Sequence, residues 1–200
     1  MIANKDQARE FKARMVEESG AVLRNRTSAI EIQAIAAAFD VARLINPSIG
    51  LPSGQSFMRD FATTLGPVIY YNPELEDQPA TLCEMITHEC QHVRQWHTAA
   101  TPSQRGDGLP YPSEVAFPIL YVKEEAALAQ WESDAYAAGE SVRLRLTGWM
   151  RSPEEVAALL GSSYRVGGKG RALCLSMMLS HQQSILDTGR VNVWSAIKAH

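Results

Sequence analysis

The residues His88-Glu89-x-x-His92 have the spacing that places two histidines on one face of a helix. Successive helical residues turn by about 100°, so His88 and His92 lie about 40° apart, one turn along the same stripe. Both imidazoles can then bind a single metal ion, which zinc sites hold at about 2.0–2.1 Å from each nitrogen. This spacing predicts a Zn²⁺ site on the helix.

Glu89 lies on the flank of that stripe, about 100° from His88 and about 60° from His92. There its carboxylate can hold a metal-bound water instead of competing as a ligand. Zinc lowers the pKa of such a water towards about 7, and a nearby carboxylate takes its proton during attack on a carbonyl. Glu89 is therefore the predicted general base. The alternative is a structural helix with two chance histidines. The composition gives about a 1% chance of such a match, which counts against this alternative.

Two histidines leave a zinc site incomplete, so the third ligand decides its class. The metzincin extension needs glycine at 95 and histidine at 98, where this chain has Gln95 and Thr98. His97 points to the back of the helix. Glu132 follows the motif by 40 residues on a separate predicted helix and is the favoured third ligand. Glu125, nearly on the same stripe as Glu132, is its rival, and an exposed helix carboxylate is the other interpretation.

The helix face around Glu132 is lined by small residues. Ala135 and Gly139 fall within about 60° of Glu132 and would let this helix approach the motif helix closely. Asp134 points about 160° away, which favours a solvent-side charge or a hydrogen-bond partner for a histidine.

A tetrahedral oxyanion needs a hydrogen-bond donor besides zinc. Tyr136 faces the predicted metal side and is the candidate for this catalytic role, with Tyr70, Tyr71 and His181 as rivals. Ring packing in the core is the competing interpretation for each tyrosine. Gln95, two turns beyond His88, is predicted either to support the site, to contact substrate or to lie on plain surface.

Together, His88-Glu89-x-x-His92 and Glu132-x-x-Ala135 resemble the gluzincin pattern, in which H-E-x-x-H is followed by E-x-x-A on the next helix. The strand ending in Asn72-Pro73 before the motif helix is also similar to small single-domain peptidases of this type. The resemblance covers residues 60–140 and implies a zincin-like fold and a zinc metallopeptidase. Gluzincins often have aspartate directly after that alanine, where this chain has Tyr136.

Periodicity and turn signals predict an α+β, mostly helical domain with a small sheet before the motif helix. Helices are expected over 5–24, 30–45, 79–98, 120–147, from 152 to Gly161, and over 171–186. The helix over 30–45 is apolar almost all round, which predicts a central core helix. Strands are expected over 56–64 and 67–71, with the second at the sheet edge, where an extended peptide substrate could add. Residues 99–118 are expected to form a long loop, and Gly167-Gly168-Lys169-Gly170 a hinge or turn.

The 200 residues suit one domain, with N-terminal helices over 1–50, a catalytic core over 56–147 and C-terminal helices over 152–200. The net charge of −3 is spread along the chain, which argues against nucleic acid as the main partner. No apolar run is long enough for a membrane span and no signal segment opens the chain, so a cytoplasmic location is expected, with association with a virion as an alternative. Cys83, Cys90 and Cys174 are expected to be buried free thiols.

These observations predict a zinc metallopeptidase that hydrolyses amide bonds of a peptide or protein substrate. Two alternatives stay open. The zinc could be structural in a protein that docks to a larger, phage-like assembly, or the enzyme could be a zinc amidase acting on a cell-wall substrate.

Overall fold

The computed structural model describes residues 4–45, 53–60, 62–99, 125–163 and 166–188, which are mostly helical with a small sheet, as expected. Its α-helices are α1 (Lys5–Ser19), α2 (Ile30–Ile45), α3 (Gly54–Asp60), α4 (Pro79–Ala99), α5 (Glu125–Thr147), α6 (Pro153–Ser163) and α7 (Gly168–Thr188). Its strands are β1 (Val22–Asn25), β2 (Thr63–Leu65) and β3 (Val68–Tyr71), and a 3₁₀ turn spans Pro73–Asp77. None of the described helices is both long and apolar enough to cross a membrane. The expected loop beyond residue 99 and the expected helix start at 120 lie outside the described residues.

The three strands form one sheet in the order β1-β3-β2. β3 pairs in parallel with β1 and antiparallel with β2, which precedes it through a tight turn where Gly66 has a φ of +59°. β3 is therefore the central strand, and the prediction that it forms the sheet edge was wrong. The reason is β1, which the sequence patterns did not indicate and which pairs with the free side of β3. The strand bordering the motif helix at the edge of the sheet is β2.

The first helix is shorter than predicted. It ends at Ser19 because Gly20 adopts a φ of +71° and its N–H binds the carbonyls of Val16 and Glu17. Val22 and Leu23, expected on the inward face of the helix, belong instead to β1. Met15 is buried against α4 as expected.

The strand predicted over 56–64 was also wrong, because most of that segment is the helix α3. Ser53 begins this helix as an N-cap, with its hydroxyl oxygen accepting the N–H of Ser56 at 3.0 Å. The N–H of Gly54 is bound by the Asp40 carboxylate of α2 at 2.7 Å. These side-chain acceptors satisfy the first turn, and the extended backbone is limited to β2.

The centre of the molecule is α4, not α2 as predicted. In α4 the side chains of Leu82, Cys83, Ile86, Cys90 and Val93 are fully buried, packed against α1, β3 and the end of α5. In α2 only Ile32 and Ala36 are buried, while Ile30, Val41, Leu44 and Ile45 are exposed. An apolar composition therefore did not identify the buried helix, because burial depends on which elements pack around it.

The C-terminal helices α6 and α7 pack on α5 around a second core. Ser152 and Glu155 form the predicted capping box at the start of α6, with their side chains binding each other's backbone N–H groups at 3.2 and 2.7 Å. Gly161 does not end α6, which continues to Ser163. A Cβ at 161 would lie 2.7 Å from Cδ of Arg171, so glycine lets α6 and α7 approach closely.

The three cysteines are buried free thiols, as expected. Burial raises the pKa of Cys83 and of Cys90 to about 11, so both are protonated at neutral pH.

Candidate metal centre

Three side chains converge at one point between α4 and α5. Nε2 of His88 and Nε2 of His92 are 3.1 Å apart, and the Glu132 oxygens lie 3.6 Å from the first and 3.4 Å from the second. Ligands about 2.05 Å from a tetrahedral metal are separated by about 3.3 Å. The three donors therefore already have the spacing of a tetrahedral site. Within the part of the chain that the structure describes, they are the one group of three or more such side chains that could hold a metal ion.

Close packing of α4 and α5 produces this geometry. His88 and His92 lie one turn apart on α4, as predicted, and Glu132 faces them from α5. Ala135 and Gly139 are buried at the contact. A Cβ at 139 would lie 3.3 Å from the carbonyl oxygen of Glu84 and 3.8 Å from Cβ of His88. The small residues thus let α5 pack close enough to α4 for the Glu132 carboxylate to lie 3.4–3.6 Å from the two histidine nitrogens.

The protonation of the histidines follows from burial and from the Glu132 carboxylate, which is fully buried. Burial and the neighbouring His92 lower the pKa of His88. Burial alone would lower the pKa of His92 too, but Glu132, with further contributions from Glu89 and Gln95, raises it to about 9. Without a metal, the site therefore holds one proton on His92 that balances the Glu132 charge. Two imidazoles and a carboxylate are a donor set that zinc and other divalent transition metals use.

Gln95 fixes the orientation of His92. Its side-chain N–H donates to the carbonyl of Trp131 at 2.9 Å, so its oxygen is the atom that lies 2.8 Å from Nδ1 of His92. Nδ1 of His92 therefore carries the hydrogen and Nε2 is left for a metal. Of the three roles considered for Gln95, the structure favours the one in which it orients a histidine of the site, since its side chain is buried and contacts His92. Its side-chain oxygen thus accepts a hydrogen bond from His92, in a chain that has Tyr136 where gluzincins often have aspartate.

Glu89 lies beside the three ligands without belonging to them. Its side chain is buried, and Oε2 accepts a 2.6 Å hydrogen bond from the Thr64 hydroxyl of β2. Glu89, His88 and Tyr136 line a common pocket of about 360 Å³. A carboxylate held at the wall of a pocket next to a possible metal site has the position expected of a general base. The sequence offered no signal for Thr64, because its role depends on the pairing of β2 with β3.

Tyr136 packs edge-on against His88, with ring centroids 4.7 Å apart and planes at 78°. Burial raises the pKa of its phenol far above the ordinary value, so the hydroxyl keeps its proton and can only act as a neutral donor or acceptor. Its ring is packed as the competing interpretation expects, and the role of its hydroxyl as an oxyanion donor stays a prediction.

The rival residues lie in other contacts. Glu125 accepts the N–H of Gly170 at 3.0 Å and so caps the first turn of α7. His181 lies 3.0 Å from the Asp134 carboxylate, which makes Asp134 a histidine's partner away from the metal ligands. Tyr70 donates to Glu31 at 2.7 Å and Tyr71 to Glu76 at 3.0 Å. The structure does not bring these residues to the metal ligands.

A cluster of two arginines and two glutamates, which sequence patterns did not indicate, lies on α4, on α5 and on the segment after α5. Arg143 and Arg151 both bind the Glu84 carboxylate, at 2.7 and 2.8 Å, and Arg151 also binds Glu140. Glu84, Arg143 and Arg151 line the same pocket as His88 and Glu89. Glu84 lies one turn before His88, so the helical spacing was an available signal for its position.

Comparisons with models of known protein families, with curated proteins and with solved structures find no match. The interpretation of the site therefore depends on its own geometry.

Proposed function

We propose that the protein is a zinc-dependent metallopeptidase that hydrolyses amide bonds of a peptide or protein substrate. The observation that supports this most is the spacing of 3.1 to 3.6 Å among the donors of His88, His92 and Glu132, with Glu89 in the adjoining pocket. A zinc ion held by these three residues would supply Lewis acidity, which acidifies water and polarises a carbonyl.

In the proposed reaction Glu89 accepts a proton from the attacking water and returns it to the leaving amine. The hydrogen bond from Thr64 holds Oε2 and leaves Oε1 to accept that proton. Tyr136, which stays protonated, donates a hydrogen bond to the developing oxyanion. His88, His92 and Glu132 keep their positions because Gln95 and the small residues of α5 fix them before any ligand arrives.

The substrate backbone is proposed to lie along β2. Within the described residues β2 pairs with β3 on one side and has no strand on the other. An extended peptide can add as a further strand at such an edge. Because Thr64 of β2 contacts Glu89, a peptide bound there passes next to the general base.

The test is to measure zinc content and the cleavage of a peptide library by the parent chain and by Glu89→Gln. We expect one zinc in both proteins and a loss of turnover of about 10²- to 10⁴-fold in the variant. Glu10→Gln, a change at an exposed position of α1, serves as the control and should behave as the parent. Undiminished cleavage by Glu89→Gln, or a parent that binds no zinc, would refute the proposal. Purified peptidoglycan, assayed in parallel, reports cell-wall amidase activity instead.

A further inference from the structure

The pocket extends from the metal ligands to the arginine cluster. His88 and Glu89 line one part, and Glu84, Arg143 and Arg151 line another. Glu84 and His88 are four positions apart on α4, which is about 6 Å along the helix axis. This is the length of one substrate side chain or of one to two residues of extended backbone. A substrate whose amide bond lies at the metal site can therefore reach the cluster.

The two carboxylates of the cluster are already bound by guanidinium groups. Glu84 accepts from both arginines, and Glu140 accepts from the side chain and the backbone N–H of Arg151. Each guanidinium has five N–H donors, so donors outnumber acceptors. Nε of Arg143 lies 3.8 Å from a Glu140 oxygen and makes no hydrogen bond within the described residues. A ligand that completes this cluster must therefore accept hydrogen bonds.

Two guanidinium groups and one carboxylate line the pocket at this end, because Glu140 is 1% exposed and does not line it. With Glu140 included the cluster has no net charge, so the feature that it offers a ligand is its fixed guanidinium donors. Arg143 is held in place by the ring of Trp149, whose centroid lies 5.0 Å from its guanidinium carbon. Planar guanidinium groups held in fixed positions match the geometry of a carboxylate.

Apolar side chains also line the pocket. Leu75, Met85 and Leu159 contribute to it, beside the polar Asn72 and Thr81. A substrate group with an aliphatic stem and a charged end meets both kinds of surface in this pocket.

We propose that Arg143 and Arg151 form a subsite for a substrate carboxylate, so that the enzyme prefers a cleavage site next to an acidic side chain or close to a free C-terminus. This inference rests on the proposed peptidase function. Acidic side chains and the C-terminal group share one chemistry, and the experiment below separates them.

The first measurement is kcat/KM of the parent for matched peptides. One pair differs by Glu or Gln at each position flanking the cleaved bond, with the C-terminus amidated. The other pair has a neutral sequence with a free or an amidated C-terminus. We expect a preference of about 10- to 100-fold for the carboxylate in one of the pairs, as for a hydrogen bond to a charged group. Equal rates within both pairs would overturn the subsite.

The second measurement assigns the preference to the arginine. Arg143→Gln should reduce it to less than about threefold, whereas Arg145→Gln, an exposed position two residues along the same helix, should retain it. A preference that survives in Arg143→Gln would overturn the assignment. If that variant does not fold, Arg143→Lys keeps the charge beside Glu84 but loses the planar fork, and an intermediate preference is expected.

Calorimetric titration of the same peptides into zinc-loaded Glu89→Gln, with and without Arg143→Gln, separates the two proposals. Zinc ligation by a carboxylate is equal in both proteins, so a difference in affinity for the acidic peptide reports the arginine. Tighter binding of acidic peptides without cleavage by the parent supports the subsite and refutes the peptidase. Cleavage by the parent without a preference for acidic peptides supports the peptidase and refutes the subsite.

Discussion

Replacing Glu132 by glutamine removes the carboxylate charge from the metal site while nearly keeping the shape of the side chain. Glu132 is fully buried and lies within 3.6 Å of both histidine nitrogens, and among the described residues no other carboxylate belongs to the group that could hold a metal. Loss of a residue that merely supports a ligand weakens metal binding by about 10- to 100-fold. Loss of a ligand should reach at least the upper end of that range.

This loss translates into a difference in thermal stability. At a free zinc concentration 100 times the parent Kd, binding stabilises the parent by about 2.7 kcal/mol, but stabilises a variant that binds 100-fold more weakly by only about 0.4 kcal/mol. For a protein of this size 1 kcal/mol changes Tm by about 2–4 °C. We therefore expect zinc to raise the Tm of the parent by about 5–11 °C and that of Glu132→Gln by about 1–2 °C.

The assay is thermal unfolding followed by circular dichroism, with zinc added to chelator-treated protein. Only the zinc-dependent difference within each protein is compared, so a change in the stability of the metal-free variant does not affect the result. Glu125→Gln is the control, because Glu125 lies on the same helix but binds the N–H of Gly170. A parent-like zinc shift in Glu132→Gln would show that Glu132 is not the third ligand. Loss of the shift in Glu125→Gln would identify the rival instead.

Three further predictions concern the surroundings of the ligands. Gln95→Leu should weaken zinc binding about 10- to 100-fold in a competition titration, since it removes the hydrogen bond to Nδ1 of His92, and an unchanged Kd would contradict that role. Thr64→Val should lower kcat about tenfold at unchanged zinc content, because Glu89 loses its 2.6 Å hydrogen bond, and a parent-like kcat would count against this positioning. Zinc binding at pH 8 should release about two protons, because the metal displaces the proton that His92 retains below its pKa of about 9 and the bound water loses another as zinc lowers its pKa towards about 7. The apparent affinity for zinc should fall as the pH drops below 9. Calorimetry in buffers of different ionisation heat counts the released protons, and release of one proton or fewer would contradict the retained proton on His92.

The three residues of the candidate metal site could be predicted because helical periodicity is a local property. The angle between His88 and His92 depends only on their separation of four residues, and α4 is a regular helix over Pro79–Ala99. The choice of Glu132 needed one more step, the small residues beside it, which indicated which face of α5 meets α4. Each of these steps uses information contained within one helix, α4 for the histidines and α5 for Glu132.

The sheet could not be predicted in the same way, because strand pairing joins residues far apart in sequence. β1 is four residues long and has an exposed position at Val22, so no alternating pattern distinguishes it. Its partner β3 lies more than 40 residues later. The role of Thr64 depends on this pairing and on the contact of β2 with α4, and was therefore beyond a reading of local patterns.

The proposed arginine subsite could be predicted from the sequence only in part. Its residues come from α4, α5 and the segment after α5, and nothing local states that Glu84 and Arg143 meet. Their positions are nevertheless periodic with the ligands. On α4 the spacing that relates His88 to His92 also relates Glu84 to His88, and Gln95 continues the stripe.

The same periodicity organises the facing side of α5. Glu132, Tyr136, Gly139 and Arg143 follow one another at intervals of four, three and four residues, so they form a single stripe. Along it the structure places a candidate metal ligand, a wall of the pocket, the close contact with α4 and an arginine at the far end. The pocket is thus bounded by two facing stripes held at a distance set by Gly139. A side chain at 139 would push the stripes apart, and would alter the metal ligands and the arginine subsite together.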